Sequence, residues 1–151
     1  QIGKLEQLIQ QVVAQDLEVK AQMELMRSVP GVGEVTATAI MAKTEGFRLY
    51  REPRKLACCA GVVPFRYQSG TSMNSRAKVS QMADKSLKTL LNMAALRAIR
   101  MDNDLKIYYE RKVRQGKNKM SALNAVRNKI VHIIYAVVKS KKPFENRLLL
   151  S

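Results

Sequence analysis

Ser28-Val29-Pro30-Gly31-Val32-Gly33 lies between two helical patterns and decides how the chain is read. Proline, glycine, an apolar residue and glycine make a tight connection, because Gly31 and Gly33 tolerate backbone angles closed to other residues. Neither glycine has a side chain to block a strand, and the helix following from Glu34 or Val35 offers its positive N-terminal end. The stretch reads as a helix-hairpin-helix that aims backbone N–H groups at a phosphate, with Gly31 and Gly33 as nucleic-acid-binding positions. A plain turn between helices uses the same letters, so the wider sequence must choose between the two.

On the N-terminal side, residues 4–27 form one helical pattern with an apolar stripe of Leu5, Leu8, Ile9, Val12, Val13, Leu17, Met23 and Met26. The stripe is coiled-coil-like, and such a helix needs a cover: a second copy, an absent domain, or the chain's own C-terminal helices. Gln1 is not a natural start, so the chain reads as cut from something longer, with the helix-hairpin-helix at 16–44. On the other side, Val35, Ala37, Ala39, Ile40 and Met41 suit a buried helix packed closely on its predecessor, ended by Glu45-Gly46-Phe47 with Gly46 as left-handed cap. Pro53 fits the first turn of a short helix, 54–60, stopped by Gly61 and facing the core with Leu56, Cys59 and Ala60. The two cysteines, Cys58 and Cys59, read as small core residues rather than as ligands or a bridge.

Residues 62–81 break the helical period. Ser, Thr, Asn and Gly dominate there, and Arg66, Arg76 and Lys78 supply positive charge. A loop of this length is functional or disordered, and a loose hairpin also fits; residues 66–80 are expected to be mobile in isolation. Beyond it, residues 84–101 place Leu87, Leu90, Leu91, Ala94, Ala98 and Ile99 inward, leaving Lys85, Lys88, Asn92 and Arg100 outside, with Lys85 and Lys88, like Arg66, Gly70, Arg76 and Lys78 of the loop, as nucleic-acid-binding positions. Asp104 is expected to cap a helix to about Arg114, stopped by Gly116. Met120, Leu123, Val126, Ile130, Ile133, Ile134 and Val137 mark a long final helix, closed by Ser140-Lys141-Lys142-Pro143. The expectation is a mainly α fold: a long N-terminal helix, a helix-hairpin-helix, and a compact helical domain (28–142) with one long basic loop and a tail at 143–151.

Charge narrows the partner. The chain carries 27 Lys and Arg against 12 Asp and Glu, a net charge of +15, which favours a polyanion. Residues 1–45 hold four basic and six acidic residues, so residues 46–151 carry the excess, net +17. No stretch approaches a membrane-spanning length and no signal-peptide pattern opens the chain, so nucleic acid is preferred to a membrane surface. His132 is the single histidine, and no Cys/His/Asp spacing resembles a zinc site, so no metal is expected in this chain.

The ordered series Ser28-Val29-Pro30-Gly31-Val32-Gly33, Ala37-Thr38-Ala39, Leu56-Ala57-Cys58-Cys59-Ala60-Gly61-Val62-Val63-Pro64 and Tyr67-Gln68-Ser69-Gly70 resembles the C-terminal transposase domain of bridge-RNA-guided insertion-sequence transposases and pilin-gene invertases. The likeness runs on through Leu87-Lys88-Thr89-Leu90-Leu91, Tyr108-Tyr109-Glu110, Gly116-Lys117 and Tyr135-Ala136-Val137-Val138-Lys139, covering roughly residues 28–140. Where relatives have a glycine-containing, more basic stretch, this chain reads Gln81-Met82-Ala83-Asp84.

The resemblance implies a mechanism. Complete members join a RuvC-like domain, whose acidic residues bind Mg2+, through a coiled coil, whose end residues 1–27 resemble, to a domain that contributes a serine nucleophile, here matching Ser69 beside Gly70. Ser72 and Ser75 stand close enough to be alternatives. Serine attack on a phosphodiester conserves bond energy for rejoining, as recombination requires, and needs a cationic clamp, for which Arg66, Arg76 and Lys78 are nearest. The family implies DNA and a guide RNA as partners, a homo-oligomer in the full-length protein, and a bacterial or archaeal cytoplasmic location at the nucleoid. The isolated chain is expected to bind but not recombine. A non-catalytic helix-hairpin-helix docking module is the alternative.

Overall fold

The computed structural model describes residues 2–63 and 84–146. Among them the secondary structure is six α-helices and no strand: α1 Ile2–Arg27, α2 Glu34–Thr44, α3 Pro53–Cys59, α4 Lys85–Ala98, α5 Asp104–Arg114 and α6 Lys119–Ser140. The mainly α expectation holds. The proposed 62–81 loop, with its possible hairpin and mobility, falls almost wholly outside the described residues.

The helix α6 is the axis of the core. It packs against α1, α3, α4 and α5, and it buries Val126, Ile130, Val131 and Ile134 completely. Apolar residues on more than one face suit a helix surrounded by neighbours. Asn118 starts it, its side-chain oxygen accepting from Ser121 N at 2.8 Å. The helix α4 shows the amphipathic spacing read from the sequence, with Leu87, Leu91, Ala94 and Ala98 buried.

Three readings are corrected. Asn103, not Asp104, caps α5: its Oδ1 accepts from Leu105 N at 2.7 Å while its Nδ2 donates to Ala98 O at 2.8 Å, so one buried amide joins two helices. On α3 the core face is Leu56 and Ala57, with Ala60 just beyond, and Cys58 is exposed. The stripe of α1 is not covered by the chain's own C-terminal helices. Residues 2–21 are all exposed, with Leu5, Leu8, Ile9, Val12, Val13 and Leu17 between 51% and 64% accessible. Burial begins near Gln22 and becomes complete at Met26, where α1 meets α2 and α6.

Candidate nucleic-acid interface

The connection between α1 and α2 is anchored from inside. Val29 and Val32 are buried, Ser28 Oγ donates to Leu25 O at 2.6 Å, and Val32 N donates to Val29 O at 3.1 Å. The same Ser28 hydroxyl accepts from Phe144 N at 2.9 Å, so the segment after α6 crosses back and braces the turn. Gly31 has φ +86° and lies against α4 so closely that a Cβ there would sit 2.0 Å from Ala94 O. Its freedom thus serves backbone-to-backbone packing as well as turn geometry.

Gly33 differs. It occupies the N-cap of α2 with φ −100° and ψ −175°, an extended conformation open to any residue, and it supplies no side-chain cap. The first N–H groups of α2 therefore have no side-chain acceptor from the cap and point out at the positive end of the helix. A Cβ at Gly33 would lie 3.6 Å from Arg97 Nη1, which puts a guanidinium beside those amides. Arg27, Pro30, Gly31, Gly33, Arg97 and Phe144 are among the residues lining an open cleft of 490 Å³ at this turn. Uncapped amides beside exposed guanidinium groups suit a phosphodiester. Asp102 brings one carboxylate to the cleft wall, and Glu34 stands in the first turn of α2. Asp102 is partly neutralised by Lys106 Nζ at 3.4 Å.

Sequence reasoning selected Gly31 and Gly33 but missed Arg27 and Arg97. Arg97 is exposed on α4, and nothing local in the sequence ties it to a glycine in another helix pair. Lys85 and Lys88 are exposed on the first turn of α4. Lys85 lies 12 residues before Arg97, about 18 Å along the axis, so these lysines do not join the cleft. Arg66, Ser69, Gly70, Ser72, Ser75, Arg76 and Lys78 lie outside the described residues.

The two ends of that stretch meet. Asp84 N donates to Cys59 O at 2.7 Å, and Asn124 Nδ2 donates to Val62 O at 3.1 Å. Asp84 caps α4 through Leu87 N at 3.0 Å and binds Lys43 Nζ at 2.6 Å, so α2, α3 and α4 share one polar knot. The Lys43 ammonium, then the Leu87 amide, hold the Asp84 carboxyl below its usual range. Tyr50 adds a hydroxyl donated to Cys59 Sγ at 3.6 Å, and Tyr135 donates to Tyr50 O at 2.5 Å. Burial pushes the Tyr135 phenol up to about 12, keeping it a neutral donor.

Among the described residues no three His, Cys, Asp or Glu side chains gather as metal ligands, and His132 is exposed on α6. The described helices also contain none that is long and apolar enough to cross a membrane.

Comparison with known proteins gives the class first: the chain is similar to transposases and DNA-inverting proteins. Residues 23–110, more than half of the chain, match the model of the Transposase IS116/IS110/IS902 family, and the chain belongs to that family. It is 25% identical to the pilin gene-inverting protein of Moraxella bovis over 148 residues, 97% of this chain and 46% of that protein. It is 24% identical to an insertion element IS110 protein of Streptomyces coelicolor over 132 residues, 87% of this chain and 32% of the relative. The transposase of insertion sequence element IS1111A from Coxiella burnetii is 26% identical over 122 residues, 79% and 33% of the two chains. The chain thus spans less than half the length of these relatives.

Proposed function

We propose that this chain is the DNA-holding and nucleophile-bearing part of a transposase that cuts and rejoins DNA. The observation that carries the reading is the pairing of the uncapped α2 amides with Arg97 at the hairpin, in a chain of the transposase family. The cleft takes a phosphate of the DNA backbone by charge and by backbone donors, with no base readout.

Ser69 is the proposed nucleophile, with Ser72 and Ser75 as alternatives. Its Oγ attacks a phosphodiester phosphorus and loses its proton, the bond from phosphorus to one sugar oxygen breaks, and that oxygen leaves as a hydroxyl after taking up a proton. The phosphoserine ester keeps the bond energy, and a sugar hydroxyl reverses the step to rejoin a strand. Arg66, Arg76 and Lys78 are proposed to stabilise the charge that builds on the phosphate oxygens. The described residues do not fit the Mg2+ that the family resemblance implies, since their carboxylates do not cluster; in this reading the acidic RuvC-like part of a longer protein holds it. Guide RNA, homo-oligomeric assembly and a place at the bacterial or archaeal nucleoid belong to the same proposal.

Two measurements test it. A full-length protein incubated with its DNA should yield a covalent protein–DNA adduct that Ser69→Ala abolishes. An adduct that survives moves the role to Ser72 or Ser75, and no adduct under recombining conditions leaves a docking module. Gly33→Ser should stabilise the fold by capping α2 while weakening DNA binding, because the serine oxygen competes for the same amides. Unchanged binding in that variant removes the amides from the interface.

A further inference from the structure

A second cationic centre lies away from the hairpin cleft, on α5 and α6. Tyr108 stands on α5 with Arg111 and Lys112 three and four residues later, hence on the same helical face. The Arg111 guanidinium carbon is 5.5 Å and Lys112 Nζ 5.4 Å from the Tyr108 ring centroid. Lys129 reaches across from α6, its Nζ 4.2 Å from the same centroid. None of the three cations forms an ion pair among the described residues. Residues 111–144 contain ten Lys and Arg and no Asp or Glu. The adjacent carboxylate, Glu110, lines a neighbouring open cleft of 410 Å³ with Arg114 and Lys119.

Cations drawn to one ring repel each other, and the negative face of the ring offsets part of that repulsion while fixing where the charges stand. The remainder is relieved by an anion set among them. Because the ring is engaged by cations, it is not offered as a platform for an unstacked base, which is how single strands are gripped. Cations gathered around one ring and paired with no carboxylate among the described residues suit backbone phosphates, and with the ring already occupied those of a duplex suit them better than an unstacked single strand. We infer that Tyr108 organises a second phosphate-binding surface, formed by Arg111, Lys112 and Lys129, that grips duplex DNA without reading its sequence. None of these residues lines the hairpin cleft, so the surface is separate from the one assigned above.

The experiment is a salt titration of the full chain against a short DNA duplex of arbitrary sequence, followed by fluorescence anisotropy. Lys112→Gln with Lys129→Gln should weaken binding about tenfold or more near 0.1 M salt and lower the log–log salt slope by about two. Lys129→Gln alone, at an exposed position, should lower the slope by about one, which keeps the test valid if the double variant folds poorly. Tyr108→Phe should bind as the wild type and Tyr108→Leu should not, since the ring and not the hydroxyl orders the cations. Unchanged affinity and slope in a folded Lys112→Gln/Lys129→Gln variant overturn the inference, as does tighter binding of an RNA duplex than of DNA. Arg97→Gln separates the two surfaces. A wild type that binds no DNA defeats the function proposed above, whereas binding that responds to Arg97→Gln but not to the lysine pair defeats this surface alone.

Discussion

Gly31→Ala tests the packing of the hairpin most sharply. The new Cβ would lie 2.0 Å from Ala94 O, 3.0 Å from Ala94 C and 3.1 Å from Ala98 N, all backbone atoms that cannot rotate away. Ordinary contact begins at 3.4 Å, so the turn must leave α4 by more than an ångström or α4 must yield. Holding an alanine in the left-handed region costs about 1–2 kcal/mol. Overpacking of this kind adds about 1–3 kcal/mol, for a total of about 2–5 kcal/mol out of the roughly 5–15 kcal/mol typical of a domain. At about 2–4 °C per kcal/mol for this size, the midpoint should drop by about 4–20 °C. Calorimetry or circular dichroism melting reads it directly. Gly33→Ala is the internal control: its Cβ meets only Arg97 Nη1 at 3.6 Å and its backbone is extended, so its midpoint should stay within about 2 °C. A Gly31→Ala protein that melts with the wild type would refute the clamp between hairpin and α4.

Three further outcomes follow from the same coordinates. The carboxyl of Asp84 titrates below its ordinary value, so its contribution is complete above about pH 4 and disappears as pH falls through the lowered folded value. Asp84→Asn should therefore melt below the wild type near neutral pH, and urea unfolding at successive acid pH values should show the gap closing. Arg127 is buried, its Nε has no hydrogen-bond partner among the described residues and its Nη2 donates to Asn92 Oδ1 at 2.6 Å; Asn92→Ala should cost about 1.5–3 kcal/mol by stranding that charge, while Arg127→Met should be neutral or stabilising in denaturant titrations. Removing residues 2–20 deletes exposed helix alone, so the melting midpoint should move by less than about 2 °C, and a larger fall would show that the rod supports the core.

Much of the helical frame was legible because its signals are local. Leu87, Leu91, Ala94 and Ala98 repeat at helical spacing, Pro53 stands where a helix can begin, and Gly116, with φ +98°, stops α5 as its type suggests. Errors arose where neighbouring letters are chemically alike. Asn103 and Asp104 are both good caps, and only the buried bond to Ala98 O singles out Asn103. On α3, alanine and cysteine differ too little in apolar character for periodicity to place Cys58 outside and Ala57 inside. At the interface the glycines were legible, yet the nearness of Gly31 to Ala94 and of Gly33 to Arg97 joins positions more than sixty residues apart. The pairing of Lys43 with Asp84 is likewise a product of tertiary packing, invisible to any window along the chain.

The meeting of Cys59 O with Asp84 N has a consequence for how such a chain can change. Residues 64–83 are bracketed by Val62, whose carbonyl Asn124 holds, and by Asp84, held by Cys59 O and Lys43, so the helices fix where that stretch leaves and where it returns. Closing a longer excursion costs only about 0.6 kcal/mol for each doubling of its length. A change in the length of residues 64–83 therefore adds little closure entropy for the helices to offset, whereas Ala60 and Val62, both fully buried, belong to the scaffold and are not open to exchange.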